Sequence, residues 1–432
     1  MYLAHVMASL CSCRRISSSA GSIQRCFSVN IRRKYTTPGV LGGKPTVPFL
    51  RTAAAIPNIT VLFFRGDRLT RFRQFSIISG LNDVIHTPDS RVQVSRVMSP
   101  DDANPLGFIH GGIVLQMIGE AGYISATKYC NSQESRSQGN KACFAALARA
   151  ERTDFLQSMF VGEFAKVNAE VTYTSKHSLE VQVTVFAENV MKGTQRLTNR
   201  AHLWYVPVSV DDGKVVEVPA MTYSSPEMEE QGRLRYETQK SQRRDDIGQT
   251  RNAVENEYFH NFGIETAEPY TVPYSQSSLT HFILSADCTL QGYVRGGTTM
   301  KLMDEVAGLV AIKHCMSPAV TASVDAINFH KKIKQAGLIN LFARLTYTSD
   351  KSIEVQVLVD VQYISLTRRQ IYKERACDAY FTFVSLSQKD FSPQKIPPLK
   401  LLTEVEVERF KSGHERYKAK KALRNEEKQR KA

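Results

Sequence analysis

The sequence lacks several features that would assign it to common functional classes. It has no apolar run of the ~18–20 residues that a helix needs to cross a bilayer, and its best candidate, 53–64, is short and contains Pro57. None of its eight cysteines forms a CxxC pair, and its ten histidines show no metal-ligand spacing. We therefore expect no membrane span, no disulfide framework, no zinc site and no other metal.

Acidic residues are missing from the first 66 positions, which carry nine Lys or Arg side chains and a serine run at 17–19. This composition is typical of a mitochondrial transit peptide. We predict residues 1–66 to be a basic leader that sends the chain to the mitochondrial matrix if it is used. The alternative is a basic arm without targeting function, which would leave the protein in the cytoplasm.

Net charge is scarce once the two ends are set aside. The whole chain carries a formal charge of +14, but the leader holds +9 and residues 411–432 hold +6, so residues 67–410 carry −1. That stretch also has no basic stripe interleaved with aromatic residues. We therefore expect no nucleic-acid partner.

The chain does contain an internal repeat. Residues 173–183 have the sequence YTSKHSLEVQV and residues 347–357 have YTSDKSIEVQV, with eight of eleven positions identical. Upstream, GFIHGG at 107–112 matches GYVRGG at 292–297. The offset between the copies changes from 185 to 174, which places an eleven-residue insertion near 131–141 of the first copy. Two copies of one unit can face each other and build a site between them.

Each copy combines one apolar helix pattern with alternating strands, and the copies span about 91–218 and 273–400. The strand pattern alternates through 167–173 and 179–185, and again through 341–347 and 353–359. The charged segments 219–272 and 401–432 are expected to be a solvated helix or tether and a similar tail. Apolar residues recur at helical spacing in both copies: Val114, Met117, Ile118, Ala121 and Ile124, then Met303, Val306, Ala307, Val310 and Ala311. The pattern predicts an α+β unit in which an antiparallel sheet wraps one helix.

These units resemble the hotdog fold, and specifically the tandem-hotdog acyl-CoA thioesterases of the cytosolic, brain type that act on long-chain thioesters. The resemblance covers roughly 91–415 and rests on DDAN at 101–104, HGG at 110–112, DCT at 287–289, MDEVAG at 303–308 and AINFH at 326–330. It implies a double hotdog within one chain, three such chains in a homohexamer of hotdog units, and hydrolysis of fatty acyl-CoA to a free fatty acid and CoA. It also implies that no metal or organic cofactor is needed.

Thioester hydrolysis needs donors for the oxyanion and a carboxylate that activates water or attacks the thioester directly. A helix N-terminus offers free N–H groups, so Gly111 and Gly112 are the predicted oxyanion donors. Further along the two helices, only the second copy has a carboxylate at the equivalent position, because Asp304 aligns with Gly119.

The loop before the helix shows the opposite asymmetry, because Asn104 of the first copy aligns with Thr289 of the second. In paired hotdogs a site lies between the loop of one unit and the helix of the other. Asn104 and Asp304 would therefore share one site, and Thr289 and Gly119 a second site that lacks a base. The resemblance implies the same catalytic pair, with Asp304 as general base or nucleophile and Asn104 orienting water or the thioester carbonyl.

Other polar residues near these positions have more ordinary interpretations. His110 is replaced by arginine in the second copy, which favours a core or capping role over that of a base. Glu120 matches Glu305, and both are expected to be structural. Asp102 matches Asp287, and both are expected to be acceptors within their loops.

CoA carries several phosphates, so basic side chains are expected at the entrance of the site. Arg295, Lys331 and Lys332 are the candidate CoA contacts. The residues alone leave two other functions open. One is a non-catalytic acyl-CoA binding or regulatory protein, and the other is a hotdog dehydratase, which would need a histidine near Asp304 that neither helix supplies.

Overall fold

The computed structural model describes residues 90–132, 139, 141–253, 267–365, 367 and 369–431. The predicted leader at 1–66, most of the predicted insertion near 131–141 and residues 254–266 of the predicted linker lie outside these residues.

The predicted α+β class is confirmed, because the same order of elements occurs twice. The first repeat contains β1 Val92–Val97, α1 Gly111–Cys130, β2 Cys143–Ala150, β3 Thr153–Phe155, β4 Phe164–Thr174, β5 Leu179–Asn189, β6 Thr194–Ser209 and α2 Pro226–Ala253. The second contains a short helix α3 Val272–Ser275, then β7 Ser277–Phe282, α4 Gly296–Cys315, β8 Ala319–Val324, β9 Ile327–Asn328, β10 Leu338–Thr348, β11 Ile353–Ser365, β12 Gln370–Ser385 and α5 Glu404–Lys431.

The strands of both repeats join into one 12-stranded antiparallel sheet, with the order β1-β4-β5-β6-β3-β8-β12-β11-β10-β7 along its main path. The junction pairs β3 with β8 and β2 with β9. Because β2 and β3 are the equivalents of β8 and β9, each repeat contributes the same two strands to the junction. The two repeats are therefore related by an approximate twofold arrangement, which brings α1 and α4 together beneath the joined sheet.

The two long helices approach closely because glycines line their contact. A Cβ atom on Gly119 would lie 2.6 Å from the Cα of Gly297, and one on Gly112 would lie 2.9 Å from the carbonyl oxygen of Lys301. Neither distance is possible for a real side chain without backbone movement. The glycines thus let the N-terminus of each helix reach the middle of the other, which is where the predicted site lies.

The predicted apolar stripes form the core, with two local differences. Every predicted stripe residue of α4 is fully buried, whereas Ile124 of α1 is 38% exposed. Tyr173 and Tyr347 were expected to continue the buried alternation of β4 and β10, but the strand register shifts just before each of them. Such a β-bulge inserts one extra residue and turns the following side chain to the opposite face.

Both tyrosines contact an outer helix as a result. A Cβ atom on Gly232 of α2 would lie 2.4 Å from the Tyr173 ring, and one on Gly413 of α5 would lie 2.6 Å from Cβ of Tyr347. One turn further along each helix, an arginine binds the buried glutamate of the repeated YTS segment: Arg235 donates to Glu180 at 2.8 Å and Arg416 to Glu354 at 2.7 Å. The predicted linker and tail therefore contain anchored helices, Pro226–Ala253 and Glu404–Lys431, and the repeat extends into them.

Candidate active site

A cavity of about 1170 Å³ lies between the two repeats. The first repeat supplies the loop before α1 and residues 155–159, and the second supplies α4 and β8. Asn104, Gly111 and Asp304 all line this cavity. The structure therefore brings together the loop and helix positions that the sequence predicted to meet.

Asp304 is held at the N-terminus of the opposite helix. Its side chain is 4% exposed, and its Oδ2 accepts the backbone N–H of Gly112 at 2.6 Å. Burial raises the pKa of this carboxyl to about 6, while hydrogen bonds from Thr321 and Gly112 oppose the rise. A carboxylate that is desolvated but still ionised at neutral pH is suited to act as a base or a nucleophile.

Thr321 is a site residue that the sequence reasoning missed. Its hydroxyl donates to Oδ1 of Asp304 at 2.7 Å, so each oxygen of the carboxylate has one fixed donor. A signal was present in the repeat, because Thr321 of β8 aligns with Leu147 of β2 at the offset of 174. The three polar positions Asn104, Asp304 and Thr321 therefore all differ between the copies.

Asn104 is fixed by the turn in which it lies. Its Oδ1 accepts the backbone N–H groups of Leu106 and Phe108 at 3.0 and 3.1 Å, and Gly107 closes the turn at a φ of 79°, which favours glycine. Because Oδ1 faces the turn, the Nδ2 amide lies on the other side of the planar group. Among the described residues no hydrogen bond engages Nδ2, which leaves it as a donor for a molecule in the cavity.

The two predicted oxyanion donors differ in the structure. The N–H of Gly112 is bound to Asp304 and is not directed at a substrate, which corrects the expectation for that residue. The described hydrogen bonds leave the N–H of Gly111 without a partner at the first turn of α1. Gly111 must also be glycine, since a Cβ atom there would lie 2.4 Å from Oγ1 of Thr321.

The rival residues occupy less suitable positions. His110 is exposed at the start of α1 and makes no side-chain cap, so neither the predicted core role nor a capping bond is found. Glu305 lines the cavity but is exposed and pairs with Lys301 at 3.4 Å. Asp102 and Asp287 accept backbone N–H groups in their own loops, as predicted.

A second cavity, of about 420 Å³, is the twofold equivalent of the first. Thr289 and Gly119 line it, so it has no carboxylate at the position of Asp304. The candidate CoA contacts Arg295, Lys331 and Lys332 also line this second cavity. They lie apart from Asn104 and Asp304. In each repeat, the loop before the long helix and the segment after the short strand (β3 in the first repeat, β9 in the second) line the same cavity. The basic residues of the second repeat therefore line the cavity that contains Thr289.

Two further findings concern the described residues as a whole. No three His, Cys, Asp or Glu side chains converge there as a metal site would require. The described helices are also too short or too polar to span a bilayer.

Comparison with known proteins identifies the family of the chain. The family model of the thioesterase superfamily matches residues 106–194 and 291–362, once in each repeat. A cytosolic acyl coenzyme A thioester hydrolase of Rattus norvegicus is 50% identical over 342 residues, covering 79% of this chain and 86% of the rat protein. The protein of the same name in Homo sapiens is 51% identical over 333 residues, covering 76% and 83%.

Solved structures show a more distant similarity. An acyl-CoA hydrolase from Staphylococcus aureus, in complex with butyryl coenzyme A, coenzyme A and coenzyme A disulfide, is 28% identical with a TM-score of 0.33. That match covers 37% of this chain and 94% of the bacterial chain. The extent and identity of the rat and human matches decide the family. The chain belongs to the cytosolic acyl coenzyme A thioester hydrolases, which are tandem-hotdog enzymes that hydrolyse acyl-CoA.

Proposed function

We propose that the chain hydrolyses fatty acyl-CoA at one site, the first cavity, with Asp304 and Asn104 as its catalytic pair. The observation that carries this proposal is the position of Asp304. It is the carboxylate that is buried in the cavity, held by two donors and placed at a helix N-terminus of the other repeat. The equivalent cavity has Gly119 in its place.

Two routes use the same residues. As a general base, Asp304 takes a proton from water, the water oxygen attacks the thioester carbon, and the C–S bond breaks to release the CoA thiolate, which takes up the proton. As a nucleophile, Asp304 forms a mixed anhydride with loss of the thiolate, and water then cleaves the anhydride. In both routes the Gly111 N–H stabilises the oxyanion and the Asn104 amide orients the water or the carbonyl. A single turnover in ¹⁸O-water tests the nucleophilic route, because ¹⁸O enters Asp304 only when water attacks the Asp304 carbonyl carbon of the mixed anhydride.

The shape of the cavity supports a fatty acyl substrate. Beyond Asp304 its wall follows α4 through Gly308 and Ile312 to Met316, about 18 Å of helix. The side chains of Ile312 and Met316 line it although both are exposed, and exposed apolar surface of this kind commonly marks a binding groove. In the second cavity, which has about 420 Å³ against about 1170 Å³, the residue equivalent to Gly308 is Tyr123, and its side chain lines the cavity.

Release of free thiol from palmitoyl-CoA tests the proposal. The full chain should release thiol, and Asp304→Ala should lose about 10²–10⁴ of the turnover while remaining folded. Stoichiometric binding of palmitoyl-CoA without thiol release would instead support a non-catalytic binding protein. Wild-type turnover by Asp304→Ala would contradict the assignment of the base.

Location and assembly are also proposals. The composition of residues 1–66 supports import into the mitochondrial matrix when the leader is used, and the names of the rat and human relatives support the cytosolic alternative. A fusion of residues 1–66 to a fluorescent reporter distinguishes the two.

The resemblance to tandem-hotdog thioesterases supports a trimer of double-hotdog chains, which sedimentation equilibrium would test.

A further inference from the structure

The two cavities have diverged in opposite directions. The first has the carboxylate Asp304 and an apolar groove, and its positions equivalent to Lys331 and Lys332 are Gln157 and Ser158. The second lacks the carboxylate, is smaller, and has Tyr123 in its lining at the position of Gly308. If the second cavity had no function, its lining would not be expected to carry side-chain charges of only one sign.

Positive charge converges on the second cavity. Its lining includes four Lys or Arg side chains and no Asp or Glu: Arg243, Arg295, Lys331 and Lys332. Burial, and then the nearby charge of Arg149, lower the pKa of Arg243. Like charges held together in a partly buried site destabilise it unless an anion neutralises them.

Arg295 donates a hydrogen bond to the carbonyl oxygen of Ala286, and the contacts of the two lysines are weak or exposed. Lys331 pairs with Glu374 at 3.5 Å, and both side chains are exposed. Lys332 lies 3.4 Å from the carbonyl oxygen of Gly213 and 5.3 Å from the centre of the Tyr293 ring. A bound anion could therefore replace or share these contacts.

Two other features indicate that the cavity still accepts a ligand. The Oγ1 atom of Thr289, at the position of Asn104, is buried and has no hydrogen-bond partner among the described residues. The N-terminus of α4 opens onto the same cavity at Gly296 and adds partial positive charge. Buried polar atoms without partners are uncommon in proteins and call for an explanation such as a ligand.

We propose that the second cavity is a non-hydrolysing site for free CoA, whose phosphates bind to Arg243, Arg295, Lys331 and Lys332. This deepens the proposed function, on which it rests, because the cavity is the structural equivalent of the site for the thioester. Without a carboxylate at Gly119 it lacks the base for hydrolysis, and its volume of about 420 Å³, against about 1170 Å³ for the first cavity, leaves less room for a long acyl chain. Free CoA, the reaction product, fits both constraints.

Equilibrium dialysis of the full chain with labelled CoA tests this inference. The wild-type protein should bind two CoA molecules per chain. The double variant Lys331→Gln, Lys332→Ser, which introduces the residues of the first cavity, should bind the second CoA at least about tenfold more weakly and retain its turnover on palmitoyl-CoA. Its control is Lys351→Gln with Lys418→Gln, which removes two lysines that line neither cavity and should bind as the wild type does.

The outcomes separate this inference from the proposed function. One CoA per chain in an active wild-type protein would overturn the second site alone, as would a double variant that binds like the wild type. Absence of thiol release would overturn the proposed function whatever the number of bound CoA molecules. Pantetheine, which lacks the nucleotide and its phosphates, should not occupy the second site, and its binding there would overturn the role of the cations.

Discussion

The backbone N–H of Gly112 in the first repeat lies 2.6 Å from Oδ2 of Asp304 in the second, and 192 residues separate the two in sequence. This contact exists because glycines allow α1 and α4 to touch. It fixes the carboxylate where a thioester in the first cavity would lie. The chemistry of the chain therefore depends on the pairing of its two repeats, and the following predictions test the parts of that arrangement.

The pH dependence of turnover should follow the ionisation of Asp304. Burial raises the pKa of this carboxyl to about 6, and the reaction needs its ionised form. We expect kcat/KM for palmitoyl-CoA to be constant above neutral pH and to fall tenfold per pH unit below about 6. A profile that stayed flat down to pH 4.5 would show that Asp304 is not the titrating base.

The Thr321 hydroxyl should determine the pH below which kcat/KM falls. Thr321→Val removes a hydrogen bond to a charged group, worth about 1.5–3 kcal/mol, so the pKa of Asp304 should rise by about one to two units. Turnover at pH 7 should fall and should recover in part at higher pH. Thr321→Ser keeps the hydroxyl and is the matched control. If kcat/KM of Thr321→Val fell at the same pH as that of the wild type, this role for the threonine would be excluded.

The buried carboxylate should reduce the free energy of unfolding at neutral pH. Its pKa is about 6 in the folded chain, against 3.8 for an ordinary aspartate, so the folded state keeps its proton over a pH range where the unfolded state has lost it. Stability then falls as pH rises from about 4 to about 6, by about 3 kcal/mol in total. Asp304→Asn should therefore be more stable than the wild type at pH 7.5 and equal to it at pH 4 in urea unfolding. A less stable Asp304→Asn at pH 7.5 would contradict this.

Gly308 should determine how long an acyl chain the groove accepts. Gly308→Tyr introduces the residue found in the second cavity and should block the groove beyond Asp304. Each methylene displaced from the groove costs about 0.8 kcal/mol, or about fourfold, so kcat/KM should fall steeply for palmitoyl-CoA and little for butyryl-CoA. Gly308→Ala is the control, because a Cβ atom there meets only Cε1 of Phe383, at an ordinary 3.7 Å. Equal losses on both substrates would exclude the groove as the acyl site.

The sequence predicted much of this arrangement because the repeat supplied an internal comparison. Asn104 and Asp304 were identified by their mismatches with Thr289 and Gly119, and the same comparison at β8 would have identified Thr321 against Leu147. Local patterns also predicted the two long helices and the alternating strands, since those depend on residue spacing alone.

Other features depend on three-dimensional geometry. The β-bulges that turn Tyr173 and Tyr347 towards the outer helices do not interrupt the alternation of apolar and polar residues in the sequence. That alternation therefore did not predict the bulges. Arg295, Lys331 and Lys332 were expected at the entrance of the Asp304 site because CoA carries phosphates, but they line the second cavity. The twofold junction instead sends the loop and the helix of one repeat to different cavities.

The most direct test of the single-site account compares equivalent loop positions in one assay. Thiol release from palmitoyl-CoA is measured for Asn104→Ala, Asp304→Ala and Thr289→Ala, with circular dichroism to confirm that each variant is folded. Asn104→Ala and Asp304→Ala should each lose about 10² or more of the wild-type turnover, and Thr289→Ala should retain it within about twofold. Comparable losses in Asn104→Ala and Thr289→Ala would show that both cavities hydrolyse the substrate and would contradict the account.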